Sequence, residues 1–109
     1  MYIARRGREF WFCQCAEYIV GFVHWQGDFI EALHVHGRYS LAEIGTLLMD
    51  KAEAEIRRLG FAAARLETDT VNMVNQQFSS RCGYTEADRY PDTEWESKLM
   101  TILLVKPLQ

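Results

Sequence analysis

Residues 10–16 and 18–25 are dense in aromatic and β-branched side chains, and 29–35 resumes the pattern after Gln26-Gly27-Asp28. Apolar runs of this length, bounded by turn-forming residues, predict three consecutive strands. The link at Ala16 and Glu17 lacks the Gly or Asn that a tight hairpin usually takes. The period then changes. Leu41, Ile44, Leu48, Ala52, Ile56 and Leu59 recur every three or four residues, with Glu43, Asp50, Lys51, Glu53, Glu55, Arg57 and Arg58 between them. One apolar stripe on an otherwise charged segment predicts a long amphipathic helix. Its basic end suits the helix dipole, and Gly60 is placed to close it in the left-handed conformation, with Phe61 making the accompanying contact.

Residues 62–67 read as a small-residue strand against that helix. A shorter helix is expected over 71–81, with Val71, Val74, Phe78 and Cys82 on one face and Gly83 ending it. Residues 84–90 form a strand, 91–93 a turn around Pro91, and 99–105 a last, apolar, central strand. The expected order is β-β-β-α-β-α-β-β. Strands that flank helices within so short a chain imply an α/β or α+β sandwich with a mixed sheet.

Composition narrows the class. A chain of 109 residues fits one domain. With 49% hydrophobic and 25% charged residues it is globular in type rather than disordered. Fifteen acidic against 12 basic residues give a formal charge of -3, which supplies no bulk field for nucleic acid or an anionic membrane. Arg5, Arg6 and Arg8 read as a solvated terminal arm. Trp11, Trp25 and Trp95 are scattered and make no stacking platform. Apolar runs are broken by Glu17 and Asp28, short of the ~20 residues a membrane span needs. No cleavable leader is evident after the arginine cluster, so the expected location is the cytoplasm. Three cysteines are too few and odd in number for a secreted disulfide framework. Cys13 and Cys15, even with histidines, fall short of the paired spacing of a structural metal site, so no metal is expected. Cys82 reads as core.

From Tyr18 onward the chain resembles the GNAT N-acetyltransferase superfamily. The resemblance rests on the strand Ala32-Leu33-His34-Val35, the loop 38–45 opening the long helix, the strand Arg65-Leu66-Glu67-Thr68, Asn72 beginning the next helix, and Phe78 with Gly83-Tyr84 ending it. The stretch from Asp88 to Trp95 and the final strand add to it. The resemblance implies a mixed, mostly antiparallel sheet of the acyl-CoA N-acyltransferase type. It also implies acetyl-CoA as co-substrate and direct acetyl transfer to a primary amine of a small molecule or peptide. Backbone of Leu33 and Val35 would hold the pantetheine, and the amides of Glu43, Ile44, Gly45 and Thr46 the pyrophosphate. Asn72 would contact the distal arm. His34 or Glu31 would serve as base, with Glu67 a rival, and Ser79 falls where the family often has an acidic tyrosine. Tyr84 or Tyr90 could take that proton-donating part.

The chain departs from the family pattern at three points. The family's Gln/Arg-x-x-Gly-x-Gly falls on Ser40-Leu41-Ala42-Glu43-Ile44-Gly45, where only Gly45 matches. Ser40 and Glu43 have the spacing of a capping box, in which hydroxyl and carboxylate satisfy the first amides of the helix. A carboxylate there would also repel a pyrophosphate. Ser79 is a poor proton source at neutral pH. The chain further starts near the family's second strand, so the usual first strand and two helices are expected to be missing from a single domain over 1–109. That would leave residues 10–16 as an exposed sheet edge, and a homodimer is the expected way to cover it. A second reading stays open: a degenerate, non-catalytic dimeric module that has kept the fold and lost productive coenzyme binding.

Overall fold

The computed structural model describes residues 2–91 and 100–108. The expected turn at 91–93 extends outside them, and Trp95 and Leu99 lie outside them. Seven strands and two helices occur in the order β1 (Tyr2–Arg5), β2 (Phe10–Cys15), β3 (Tyr18–Gln26), β4 (Phe29–Val35), α1 (Thr46–Arg58), β5 (Ala63–Asp69), α2 (Met73–Arg81), β6 (Thr85–Pro91) and β7 (Met100–Pro107). A π-helical turn, Leu41–Gly45, leads into α1. The strands form one sheet in the order β1-β2-β3-β4-β5-β7-β6. Only β4 and β5 run parallel; every other neighbour is antiparallel. This is the mixed, mostly antiparallel α+β architecture expected; β7, expected to be central, is an interior strand next to the edge, between β5 and β6.

One strand was not expected. The stretch read as a basic arm begins with β1, which pairs with β2 from Tyr2↔Gln14 to Arg5↔Trp11. Gly7, at φ 83°, turns the chain between them. Arg5 then lies over α1, 3.3 Å from the Glu55 carboxylate. The order is therefore β-β-β-β-α-β-α-β-β. Residues 10–15 are an interior strand, and the exposed-edge argument for a dimer falls with that. The edges are β1 and β6, and β6 is exposed along its whole length.

The connections β4-α1-β5 and β5-α2-β6 join parallel strands. Right-handed crossovers in the same sense put both helices on one face of the sheet. The core confirms this: Leu48, Met49, Ala52 and Ile56 of α1 are buried with Val23, Trp25, Ala64, Leu66, Ile102, Leu104 and Phe78. Gly60, at φ 96°, ends α1 as expected, with its amide on the Arg57 carbonyl and the Phe61 amide on that of Ile56. Gly83 closes α2 by the same pair of bonds. The face of α2 differs from expectation. Val71 precedes the helix and is 65% exposed, and Val74 is 67% exposed, while Phe78 and Ser79 are buried. No helix among the described residues is long and apolar enough to cross a membrane.

Candidate functional site

The parallel pair is hydrogen-bonded only where it begins, at Phe29↔Arg65 and Ile30↔Leu66. A bidentate Arg65–Asp28 pair, 2.9 and 3.0 Å, clamps that end. Beyond it the strands part. Main-chain groups of β4 that face the gap have no strand partner there among the described residues, and a buried main-chain group without a partner is costly. A polar ligand laid along the strand would satisfy them. The gap is a cavity of about 280 Å³, floored by Leu41 and Met49 from the helix side and walled by β4, β5 and α2.

Seven of the predicted site residues line this cavity: Glu31, Leu33, His34 and Val35 from β4, Glu67 from β5, Asn72 at the cap of α2 and Ser79 within it. The β4 group shares the free edge of that strand rather than one face, Leu33 and Val35 turning toward the helices and His34 toward Phe22 on the other side. The i, i+7 spacing brings Asn72 and Ser79 to one side of α2. Glu31 approaches the His24 ring, carboxylate to Nδ1 3.2 Å. His34 is exposed and packs against Phe22, ring centres 5.8 Å apart. Asn72 caps α2, its side-chain oxygen accepting from the Asn75 amide at 3.0 Å. Ser79, 1% exposed, donates to the Asn75 side chain at 3.1 Å. Asn75 thus joins the wall without having been singled out; its i+3 relation to Asn72 was the available signal.

The other predicted residues lie at the entrance to α1 rather than in the cavity. Ser40 caps the π turn, accepting from the Glu43 amide at 3.2 Å. The Ile44 amide donates to the Ser40 carbonyl and the Thr46 amide to that of Glu43. Three of the four amides assigned to pyrophosphate are therefore donated within the chain. The Glu43 side chain is exposed, and the reciprocal bond of a capping box, carboxylate to the Ser40 amide, does not occur among the described residues. Gly45 is buried for a packing reason: a methyl group in its place would stand 2.8 Å from the Phe78 ring.

The two tyrosines separate. Tyr84 is buried and donates to Glu53 at 2.8 Å, behind α1 and away from the cavity. Burial, with the Glu53 charge, pushes its hydroxyl far up, so it is no proton donor to the gap. Tyr90 donates to Glu67, and that carboxylate lines the cavity. The bond to Glu67 raises the Tyr90 hydroxyl. Glu67 and Tyr90 are thus a linked pair at the mouth.

A mixed sheet split between two parallel central strands, with a helix entrance beside the split, is the fold of the acyl-CoA N-acyltransferases. Solved structures agree. A protein assigned as streptothricin acetyltransferase from Bacillus anthracis, solved with acetyl coenzyme A, superposes with TM-score 0.84 at 18% identity, over 90% of this chain and 61% of that one. Ard1 from Thermoplasma volcanium gives 0.82 at 21% identity, over 93% and 71%. A nourseothricin acetyltransferase gives 0.79 at 19%, over 92% and 65%. The chain thus spans under two thirds of the length of the first and last of these. Compared with curated proteins by sequence, it matches none. The model of the Acetyltransferase (GNAT) family matches residues 2–84. The chain belongs to that family.

Proposed function

We propose that this protein transfers an acetyl group from acetyl-CoA directly to the primary amine of a small molecule or peptide, working in the cytoplasm. The observation that carries it is the splayed β4–β5 gap, where an unpartnered strand edge meets carboxylates and an imidazole. The gap suits the coenzyme's thiol arm: its amides find main-chain partners along Leu33–Val35, in a cavity of about 280 Å³. The entrance to α1 suits a diphosphate less well, because Ser40 has taken two of the amides and Glu43 stands exposed beside them. The helix dipole remains there, and an anion is favoured at a helix start. When bound, acetyl-CoA supplies a thioester carbonyl open to attack by an amine.

The chain's own groups then have defined tasks. An amine attacks only when neutral, so a group at the mouth must take its proton. His34 and Glu31 lie on the cavity's β4 side and Glu67 on its β5 side, and each faces the side an acceptor would enter. Ser79 offers a hydroxyl hydrogen bond inside the wall rather than a ready proton. The alternative, a module without productive coenzyme binding, draws on the occupied amides at Glu43, Ile44 and Thr46.

Thermal unfolding with acetyl-CoA decides between them. Coenzyme at 100 times its dissociation constant stabilises the fold by about 2.7 kcal/mol, several degrees for a domain this size. The expected result is such a shift, together with loss of acetyl transfer to amine acceptors in the His34→Gln, Glu31→Gln double variant while the shift persists. No shift at millimolar coenzyme overturns the reading.

A further inference from the structure

The carboxamide of Asn75 is held in one orientation. Ser79, 1% exposed, donates its hydroxyl to the Asn75 Oδ1 at 3.1 Å. A helical serine often donates instead to the main-chain carbonyl four residues back. Here that carbonyl belongs to Asn75 itself, and the hydroxyl passes it over for the side chain. A carboxamide has one oxygen and one NH2 group, so an oxygen engaged inside the wall turns the donors outward. Neither hydrogen on the Asn75 Nδ2 has a partner among the described residues. Asn75 is half-buried in the lining of the cavity of about 280 Å³. The wall around it is fixed: its main-chain amide donates to the Asn72 Oδ1 at 3.0 Å, and Phe78 packs closely on Gly45 of the π turn.

The opposite wall decides what meets this donor. Past Ile30, β4 has no strand partner on its β5 side among the described residues, so main-chain groups along Leu33–Val35 face the cavity. A trans amide laid along that edge carries its N–H and C=O on opposite sides. Whichever group it gives to β4, it turns the other toward α2. A carbonyl turned that way needs a donor, because burying it without one is costly. We propose that Asn75 is a binding residue for the coenzyme's thiol arm. Its NH2 group donates to the carbonyl oxygen of an arm amide whose own N–H bonds β4. Ser79 is a positioning residue that acts through Asn75, and its hydroxyl hydrogen stays with that carboxamide. The inference rests on the proposed acetyl transfer from acetyl-CoA.

Nitrogen–proton correlation NMR of the full chain, titrated with acetyl-CoA, tests it without any acceptor. The Asn75 side-chain pair is assigned as the NH2 signals missing from the Asn75→Ala spectrum. These signals are expected to shift with coenzyme, together with the main-chain amides of Leu33 and Val35. Calorimetry is expected to show acetyl-CoA binding Asn75→Ala about three- to tenfold more weakly, the range for one hydrogen bond. Ser79→Ala is expected to weaken binding too, but to add nothing in the Asn75→Ala background, since it acts only through that carboxamide. In Asn75→Ala the serine hydroxyl can fall back on the main-chain carbonyl of residue 75. Should that variant fail to fold, Asn75→Asp carries the test, because a carboxylate still accepts from Ser79 and donates nothing. Strand amides that move while the Asn75 NH2 signals stay still overturn the proposal and leave acetyl transfer standing. So do equal affinities, or a Ser79→Ala loss that persists without Asn75. A spectrum unmoved by millimolar coenzyme overturns the acetyl-transfer reading, and this proposal with it.

Discussion

Ser40 and Glu43 show how one side chain decides what a helix entrance offers. The serine oxygen takes the Glu43 amide and its carbonyl takes that of Ile44, donors an anion would otherwise use. An N-cap serine contributes about 1 kcal/mol. Ser40→Ala should therefore lower stability by about that much in urea unfolding. Glu43→Gly should lower it by a similar amount, because glycine is a poor helix former by about 1 kcal/mol. The carboxylate is also a like charge beside any diphosphate, and ~1.4 kcal/mol of relieved repulsion is tenfold in affinity. Calorimetric titration should accordingly show acetyl-CoA binding Glu43→Gly about tenfold more tightly. If stability and affinity both stay at wild-type values, the serine cap and the glutamate charge do not govern this entrance.

At the level of elements, legibility followed burial. The α1 stripe was readable because Leu48, Ala52 and Ile56 are fully buried and their period is that of the helix. The α2 face was misread because apolar Val71 and Val74 point to solvent, while its inner side is built from Asn75, Phe78 and Ser79, a polar pair satisfying itself beside one ring. β1 was missed because its four residues carry almost no pattern alone; pairing with β2 and the Arg5–Glu55 contact supply what the sequence lacks. The cavity residues on β4 were legible through the family resemblance, which lays the coenzyme's thiol arm along this strand, whereas the occupied amides at the α1 entrance emerged only from geometry. The Ala16–Glu17 link, doubtful in sequence, is a true two-residue turn, and it holds Ala16 at φ 55°. A left-handed alanine costs roughly 1–2 kcal/mol, while glycine's added unfolded-state freedom costs about 0.5–1. Ala16→Gly should thus stabilise the protein by up to about 1 kcal/mol, seen as a higher urea midpoint at unchanged slope.

Across the whole molecule, one buried polar group ties three elements together. Glu53 of α1, 4% exposed, accepts from the Tyr84 hydroxyl at 2.8 Å, beyond the end of α2, and from Lys106 of β7 at 2.7 Å. Burial, reinforced by the neighbouring carboxylate, holds the Tyr84 proton far above the ordinary tyrosine range. In the unfolded chain the same hydroxyl ionises near pH 10. Its contribution to stability is therefore complete below about pH 10 and is lost as pH rises above that, by up to ~1.4 kcal/mol per pH unit for one proton. Tyr90 and Tyr39 are raised as well, but both are exposed and water screens them; burial also raises the Cys13 and Cys82 thiols, so Tyr84 shares the alkaline limb with these two. Tyr84→Phe should cost about 1–3 kcal/mol at pH 8, since the buried Glu53 loses one of its two partners. The same variant should flatten the fall in stability between pH 10 and 11.5, measured by urea unfolding at stepped pH. Parallel curves for the two proteins would mean that the alkaline transition belongs to other groups and that this network holds α1, Tyr84 and β7 together without sensing pH.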